Sequence, residues 1–137
     1  MDLVGPLERC ENENKYILTC QYNLSKCLIA TTIQNQTVEE VSEALLNKVI
    51  LIFGIPSSIL TDQGTNLRWN IFKRLCKLLK IQKISTTAYQ PESNGALERT
   101  HRTLVNYLRC FCQDKRTNWD TMLPLACFIY NTTPHTL

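Results

Sequence analysis

Three acidic residues stand where packing alone does not ask for them. Asp2 lies in the first run of strand-forming residues, Asp62 at the end of a later one, and Glu98 in the first turn and a half of a helix. Carboxylates gathered at strand ends repel each other, each pair by about 4 kcal/mol at 4 Å and an effective dielectric of 20. Divalent cations reverse that sign. Carboxylate oxygens suit Mg2+ or Mn2+, and two such ions ~3.5–4 Å apart clamp an in-line displacement at phosphorus. One ion activates the attacking oxygen and the other stabilises the leaving oxygen. Each acid also has an ordinary reading. Asp62 in Asp62-Gln63-Gly64 is a turn former, and Glu98 near a helix start suits the macrodipole. Spacing alone leaves both readings open.

Other metal-binding residue types offer less. The seven cysteines are odd in number, and the closest pair, Cys110 and Cys112, has C-x-C spacing rather than the C-x2-C of zinc sites. The two histidines, His101 and His135, form no H-x3–5-H pair. This pattern reads as buried free thiols in a reducing compartment, nuclear or cytoplasmic. Asn23, Asn35 and Asn131 open glycosylation patterns. They are read as chance matches, because Met1–Pro6 has neither the basic region nor the apolar run of a leader.

At 137 residues, 44% hydrophobic and 20% charged, the chain has the length and composition of one globular domain rather than a disordered segment. No window approaches the ~20 consecutive apolar residues of a membrane helix, so a spanning segment is excluded. The net charge of +3 hides a division. Residues 68–116 hold eleven Lys/Arg against three acids, a local +8, and the remainder is locally −5. A contiguous basic block points to a polyanionic partner.

The elements that must position these residues follow from periodicity. Leu3-Val4, Tyr16–Tyr22 and Cys27–Ile33 predict three strands. Thr37-Val38-Glu39-Glu40 is a capping box, and Val38, Val41, Leu45, Val49 and Ile52 recur at helical spacing up to a stop at Phe53–Pro56. Ser58–Thr61 predicts a short strand. Leu67–Lys80 predicts a helix with Phe72, Leu75 and Leu79 inside and Lys73, Lys77 and Lys80 outside. Ile81–Ser85 reads as a strand, Thr86–Asn94 as a loop, and Gly95–Cys112 and Asn118–Asn131 as helices. The order β-β-β-α-β-α-β-α-α indicates a mixed sheet flanked by helices, an α/β or α+β domain. With Glu98 at zero on a wheel of ~100° per residue, Leu97, Leu104, Leu108 and Phe111 fall between about −80° and −140°, and Arg102 and Arg109 within about 40°. Glu98 thus borders the buried stripe on the side that carries cations.

These words, in this order, are similar to one family. Thr61-Asp62-Gln63-Gly64-Thr65-Asn66, 35 intervening residues after Asp62, and Glu98 within Tyr89-Gln90-Pro91-Glu92-Ser93-Asn94-Gly95-Ala96-Leu97-Glu98-Arg99 resemble the D,D-35-E catalytic core of retroviral and gypsy-like LTR retrotransposon integrases. Met1–Leu7, Tyr16–Thr19, Leu24–Lys26, Phe53–Pro56 and Tyr130–His135 match as well, so the likeness covers essentially the whole chain and is strongest toward the gypsy-like branch. It implies a ribonuclease-H-like mixed five-stranded sheet flanked by helices. It also implies that Asp2, Asp62 and Glu98 are catalytic and together hold two Mg2+ or Mn2+ ions when DNA is bound. The implied enzyme is a polynucleotidyl transferase and endonuclease. Water trims the 3′ ends of the element's DNA, and the new 3′-hydroxyl attacks a target phosphodiester. DNA and a second copy of the core, as a homodimer or higher oligomer, are the implied partners.

The segment Tyr89–Gly95 resembles the mobile active-site loop of that family, with Tyr89, Gln90, Ser93 and Asn94 as DNA contacts. Its Gly, Asn and Ser permit bending, and Tyr89 offers a face to a base or sugar. Arg99 and Arg102, beside Glu98, are read as phosphate contacts that fix DNA register without reading sequence. Ion pairing to Glu98 is the alternative. His101 is read as phosphate-facing or structural, not as a general base. The lysine face of the second helix is a DNA surface or a solvated one.

The sequence also departs from the family pattern. Tyr22 stands where an Asp is common, Gln90 replaces the usual His, and Glu92 replaces the usual Gln, adding a negative charge beside an anionic site. Asp2 is the second residue. The expectation is therefore a core domain over residues 1–137, cut short at its first strand, without the zinc-binding or C-terminal DNA-binding domains, as a polyprotein fragment or a genomic relic. Two functions compete: an active integrase core, and a degenerate or domesticated core that binds nucleic acid without turnover. A ribonuclease H or junction resolvase gives no reason for the Tyr89–Gly95 segment.

Overall fold

The computed structural model describes residues 1–8, 10–22, 24–61, 66–85, 91–112 and 118–134, without the side chains of 60–61, 66–69, 71–72, 82–85 and 91–97. Among the described residues, five strands and five helices follow in the order β1 (Asp2–Val4), β2 (Tyr16–Gln21), β3 (Leu28–Ile33), α1 (Val38–Leu45), α2 (Leu51–Phe53), β4 (Ser58–Thr61), α3 (Asn66–Leu78), β5 (Gln82–Ser85), α4 (Pro91–Phe111) and α5 (Trp119–Thr132). A π-helical stretch, Leu46–Ile50, joins α1 to α2. The strands pair as an antiparallel β1-β2-β3 group and a parallel β4-β5 pair. One hydrophobic cluster takes Leu3, Leu18 and Ile33 from the first group and Ile59 from the second, together with Ile81 just before β5, and so binds the two groups to the same core.

Strand alternation sorts the side chains into two layers. Successive strand residues point to opposite faces. On β2, Leu18 packs against Val41, Leu45, Val49 and Leu75 of the α1 and α3 side, and Ile17 packs with Leu104, Leu108, Leu123 and Ala126 of α4 and α5. On β1, Leu3 enters the first cluster and Val4 packs against the second. Asp2 shares a face with Val4, and Thr19 and Gln21 share one with Ile17. The polar residues of β1 and β2 thus face α4 and α5. This α/β architecture, with helices on both faces, is the one expected.

Thr37 caps α1 as predicted, its hydroxyl accepting the Glu40 N–H at 3.2 Å. The reciprocal half of the box differs. The Glu40 carboxylate accepts the N–H groups of Gln34 and Asn35 at 3.1 and 2.8 Å, and so ties down the turn ahead of the helix. The helical run ends at Gly54, whose φ of 93° only a residue without Cβ adopts easily. Within that run the wider π turn rotates the residues beyond it off the buried stripe. Val49 is buried, but Ile52 is 64% exposed, not inside as its spacing suggested. In α3, Leu75 is buried, and Lys73, Lys77 and the following Lys80 are exposed, as expected.

Two expectations for the helix carrying Glu98 are corrected. It begins at Pro91, not Gly95, so Ser93, Asn94 and Gly95 are helical rather than part of a loop. Proline at the first position gives up an N–H that has no helical partner there. At the other end Phe111 is 36% exposed, and Cys112 takes the buried place. The seven cysteines are all free, but only Cys10, Cys76 and Cys112 are buried, and Cys110 is exposed.

Candidate active site

Asp2 owes its position to a register. It pairs with Thr19 across β1 and β2, and both side chains face α4. The strand is held behind Asp2 by Gly5, whose φ is +132° and where an added Cβ would come within 2.8 Å of the Lys15 carbonyl oxygen. The Asp2 carboxylate accepts the Leu3 N–H on Oδ1 at 2.8 Å. Its Oδ2 lies 3.9 Å from His101 Nδ1. The other ring nitrogen, Nε2, lies 2.8 Å from the Thr19 hydroxyl, which donates to the Asp2 carbonyl oxygen at 3.2 Å. His101 is therefore turned inward onto β1 and β2, a structural placement and not an outward, phosphate-facing one.

The adjacent residue of α4 makes a second polar attachment. The buried Thr100 hydroxyl lies 3.1 Å from the Tyr130 hydroxyl of α5, and Gln21 Nε2 donates to the same Tyr130 oxygen at 3.3 Å. Thr100 and His101 thus fasten α4 to alternate residues of β2, which sets the height and rotation of the helix that carries Glu98. Sequence reasoning did not single out Thr19, Gln21, Thr100 or Tyr130. For Thr19 and Gln21 the available signal was parity, since polar residues on the buried face of a strand need partners.

Glu98, Arg99 and Arg102 are all exposed on α4. Among the described residues neither guanidinium pairs with Glu98. Asp62, Tyr89 and Gln90 lie outside the described residues, and Ser93 and Asn94 are described only as turns of α4. Among the described residues no three metal-ligating side chains gather. The donor set nevertheless fits a hard divalent cation. Asp2 offers carboxylate oxygens on a side chain that is 21% exposed, and Glu98 offers an open carboxylate on the helix docked against the same face.

A second carboxylate anchors the far end of the fold. Asp120 Oδ2 accepts the Asn12 and Asn14 amides at 2.9 and 3.2 Å, and its Oδ1 accepts the Thr121 N–H at 2.9 Å. Burial raises the Asp120 carboxyl, but hydrogen bonds from Asn12, Cys10, Asn14 and Thr121 outweigh it and hold the group below its ordinary value. This cluster joins the loop between β1 and β2 to the start of α5, and is structural. No helix among the described residues is long and apolar enough to cross a membrane.

Comparison with known proteins places these features. No family model matches the chain. The chain is 38% identical over 133 residues to the retrovirus-related Pol polyprotein from transposon 412 of Drosophila melanogaster, covering 97% of this chain and 11% of that protein. It is 26% identical over 133 residues to Gypsy retrotransposon integrase-like protein 1 of Bos taurus, covering 97% and 26%. It spans about a tenth of the first relative and about a quarter of the second. Among solved structures, the catalytic core domain of BIV integrase superposes with a TM-score of 0.69 at 26% identity, covering 100% of this chain and 84% of that one. In sequence the chain is similar to retroviral and gypsy-like LTR retrotransposon Pol polyproteins and integrases, and its α/β fold is the ribonuclease-H-like fold of integrase catalytic cores.

Proposed function

We propose that the chain, residues 1–137, is an integrase catalytic core domain that processes the 3′ ends of a retrotransposon's DNA and transfers them to target DNA. The observation that carries this reading is the Asp2 carboxylate. It lies on the sheet face against which the Glu98 helix is docked, in a chain related over 97% of its length to a Pol polyprotein. In this reading Asp2 and Glu98, joined by Asp62, hold one or two Mg2+ or Mn2+ ions. When bound, such ions stabilise charge on the attacking and leaving oxygens of an in-line displacement. The carboxylates hold that assembly at the sheet edge, and α4 aims it. Arg99 and Arg102, with Tyr89, Gln90, Ser93 and Asn94, orient the DNA backbone. In the first step a water oxygen forms the new P–O bond and a 3′-oxygen leaves. In the second the freed 3′-hydroxyl is the nucleophile, and a target 3′-oxygen leaves with its proton. DNA, a second copy of the core and a nuclear or cytoplasmic setting belong to the same proposal.

The test is reversal of strand transfer on a branched DNA with Mn2+. Wild-type protein should release the joined strand. Asp2→Asn, Asp62→Asn and Glu98→Gln should each lose at least about a hundredfold in rate while still binding DNA, because charge stabilisation at the reacting oxygens is lost. Equal rates for wild type and Asp62→Asn would overturn the reading. A wild type that binds DNA without turnover would favour a nucleic-acid-binding core instead, which Glu92 in the first turn of α4 suggests by its added charge.

A further inference from the structure

We propose that the exposed lysines of α3, Lys73 and Lys77 with Lys80 just past its end, form a second DNA-binding surface. It holds a duplex other than the one that Arg99 and Arg102 orient. The inference rests on the reading of the chain as a core that joins two DNAs, and it gives one of them a surface.

The composition of the helix argues against a solvated face. Residues 66–80 hold five Lys/Arg and no Asp or Glu. A solvated helix sets acids three or four residues from its bases, whereas Lys73 and Lys77 place like charges at i and i+4, which disfavours an isolated helix. Lys73, Arg74, Lys77 and Lys80 are all exposed, and among the described residues no carboxylate pairs with them. The negative end of the helix dipole suits Lys77 and Lys80, but its effect fades within the last turn and does not reach Lys73.

Lys80 carries a further mark. Its φ is 55°, the left-handed position after a helix where glycine is usual, and beyond it the Ile81 N–H donates to the Cys76 carbonyl at 2.9 Å. A long cation thus stands where a residue without Cβ fits more easily. The spacing suits a phosphate backbone. At 1.5 Å per residue, Lys73 to Lys80 spans about 10 Å, three steps of one duplex strand at ~3.4 Å each. Lysines meet phosphates as point charges and read no bases. Leu75, Cys76 and Leu79 hold α3 on the α1 side of the sheet, whereas α4 packs on the other side. The lysines and the arginines therefore serve separate duplexes.

The surface is tested on the full chain by fluorescence anisotropy with a short labelled duplex, without metal. At low salt, wild type should saturate at two duplexes per chain. Lys73→Gln with Lys77→Gln and Lys80→Gln should saturate at one, and so should Arg99→Gln with Arg102→Gln. In the arginine background, the three lysine changes should lower the slope of log affinity against log salt by about 2.7, at ~0.9 per phosphate. Lys73→Arg with Lys77→Arg and Lys80→Arg keeps the charge and should keep two duplexes. A measurement that needs no variant is acetylation of wild type by a reactive ester, from which bound duplex should protect Lys73 and Lys77. One duplex per chain in wild type, an unchanged slope, or undiminished acetylation would each overturn the proposal. Unchanged DNA binding with lost polyglutamate binding would overturn it too, and would make the face an acidic-protein surface. None of these measurements needs turnover. A wild type that binds two duplexes without strand transfer sinks the integrase reading and leaves this surface standing.

Discussion

Asn131 of α5 closes the outer edge of β3 at Leu28, accepting the Leu28 N–H on Oδ1 at 2.8 Å and donating Nδ2–H to the Leu28 carbonyl at 2.8 Å. One side-chain amide reproduces the pair of bonds a neighbouring strand would make, which blunts an edge that is otherwise open to pairing. Cys127 Sγ adds a third contact to the same carbonyl oxygen at 3.2 Å. The Asn131 nitrogen that glycosylation would use is already committed, so the sequence pattern there has a structural explanation.

Asn131→Ala should cost about 1–3 kcal/mol, two hydrogen bonds at roughly 0.5–1.5 kcal/mol each. Asn131→Asp keeps the acceptor but sets a carboxylate against the Leu28 carbonyl, and should cost at least as much. Denaturant unfolding measures both. A wild-type midpoint for Asn131→Asp would show that only the accepted bond matters.

The Asp120 cluster predicts a pH dependence with a definite sign. The folded state holds this carboxyl below its ordinary value, so its stabilising contribution is complete above the unfolded value of about 3.9. It is lost as pH falls through the lower, folded value. Asp120→Ala should therefore flatten the acid limb of the stability curve and lower stability at neutral pH. Unfolding midpoints between pH 7 and pH 2 test this, and a variant as acid-sensitive as wild type would contradict it.

Arg99 and Arg102 are exposed beside Glu98 and not engaged with it. If each neutralises one phosphate, Arg99→Gln with Arg102→Gln should reduce the slope of log affinity against log salt by about 1.8 on duplex DNA. The loss should be uniform across sequences, because phosphate contacts carry no base information. Binding isotherms at three salt concentrations on two unrelated duplexes measure both quantities.

Much of the fold was legible because its causes are local. The Thr37 cap, the stop at Gly54, the lysine face of α3 and the three opening strands follow from capping chemistry and side-chain period. The start of α4 was not, because the Ser, Asn and Gly that suggest a loop are overridden by proline at the first helical position and by docking of the helix on the sheet. Ile52 was misplaced because a period of 3.6 assumes an uninterrupted helix, and the π turn breaks that assumption.

The sequence by itself determined the element order, the family likeness and the choice of Asp2 and Glu98 as carboxylates of interest. The tertiary structure decided which groups meet. Thr19 and His101 are 82 positions apart, Gln21 and Tyr130 109 apart, and Leu28 and Asn131 103 apart. No local pattern encodes such pairs. They depend on the register of β1 against β2 and on the rotation of α4 and α5 over the sheet, which buried apolar surface sets only coarsely. Directional hydrogen bonds, costly to leave unmade in a buried layer, then fix the final placement.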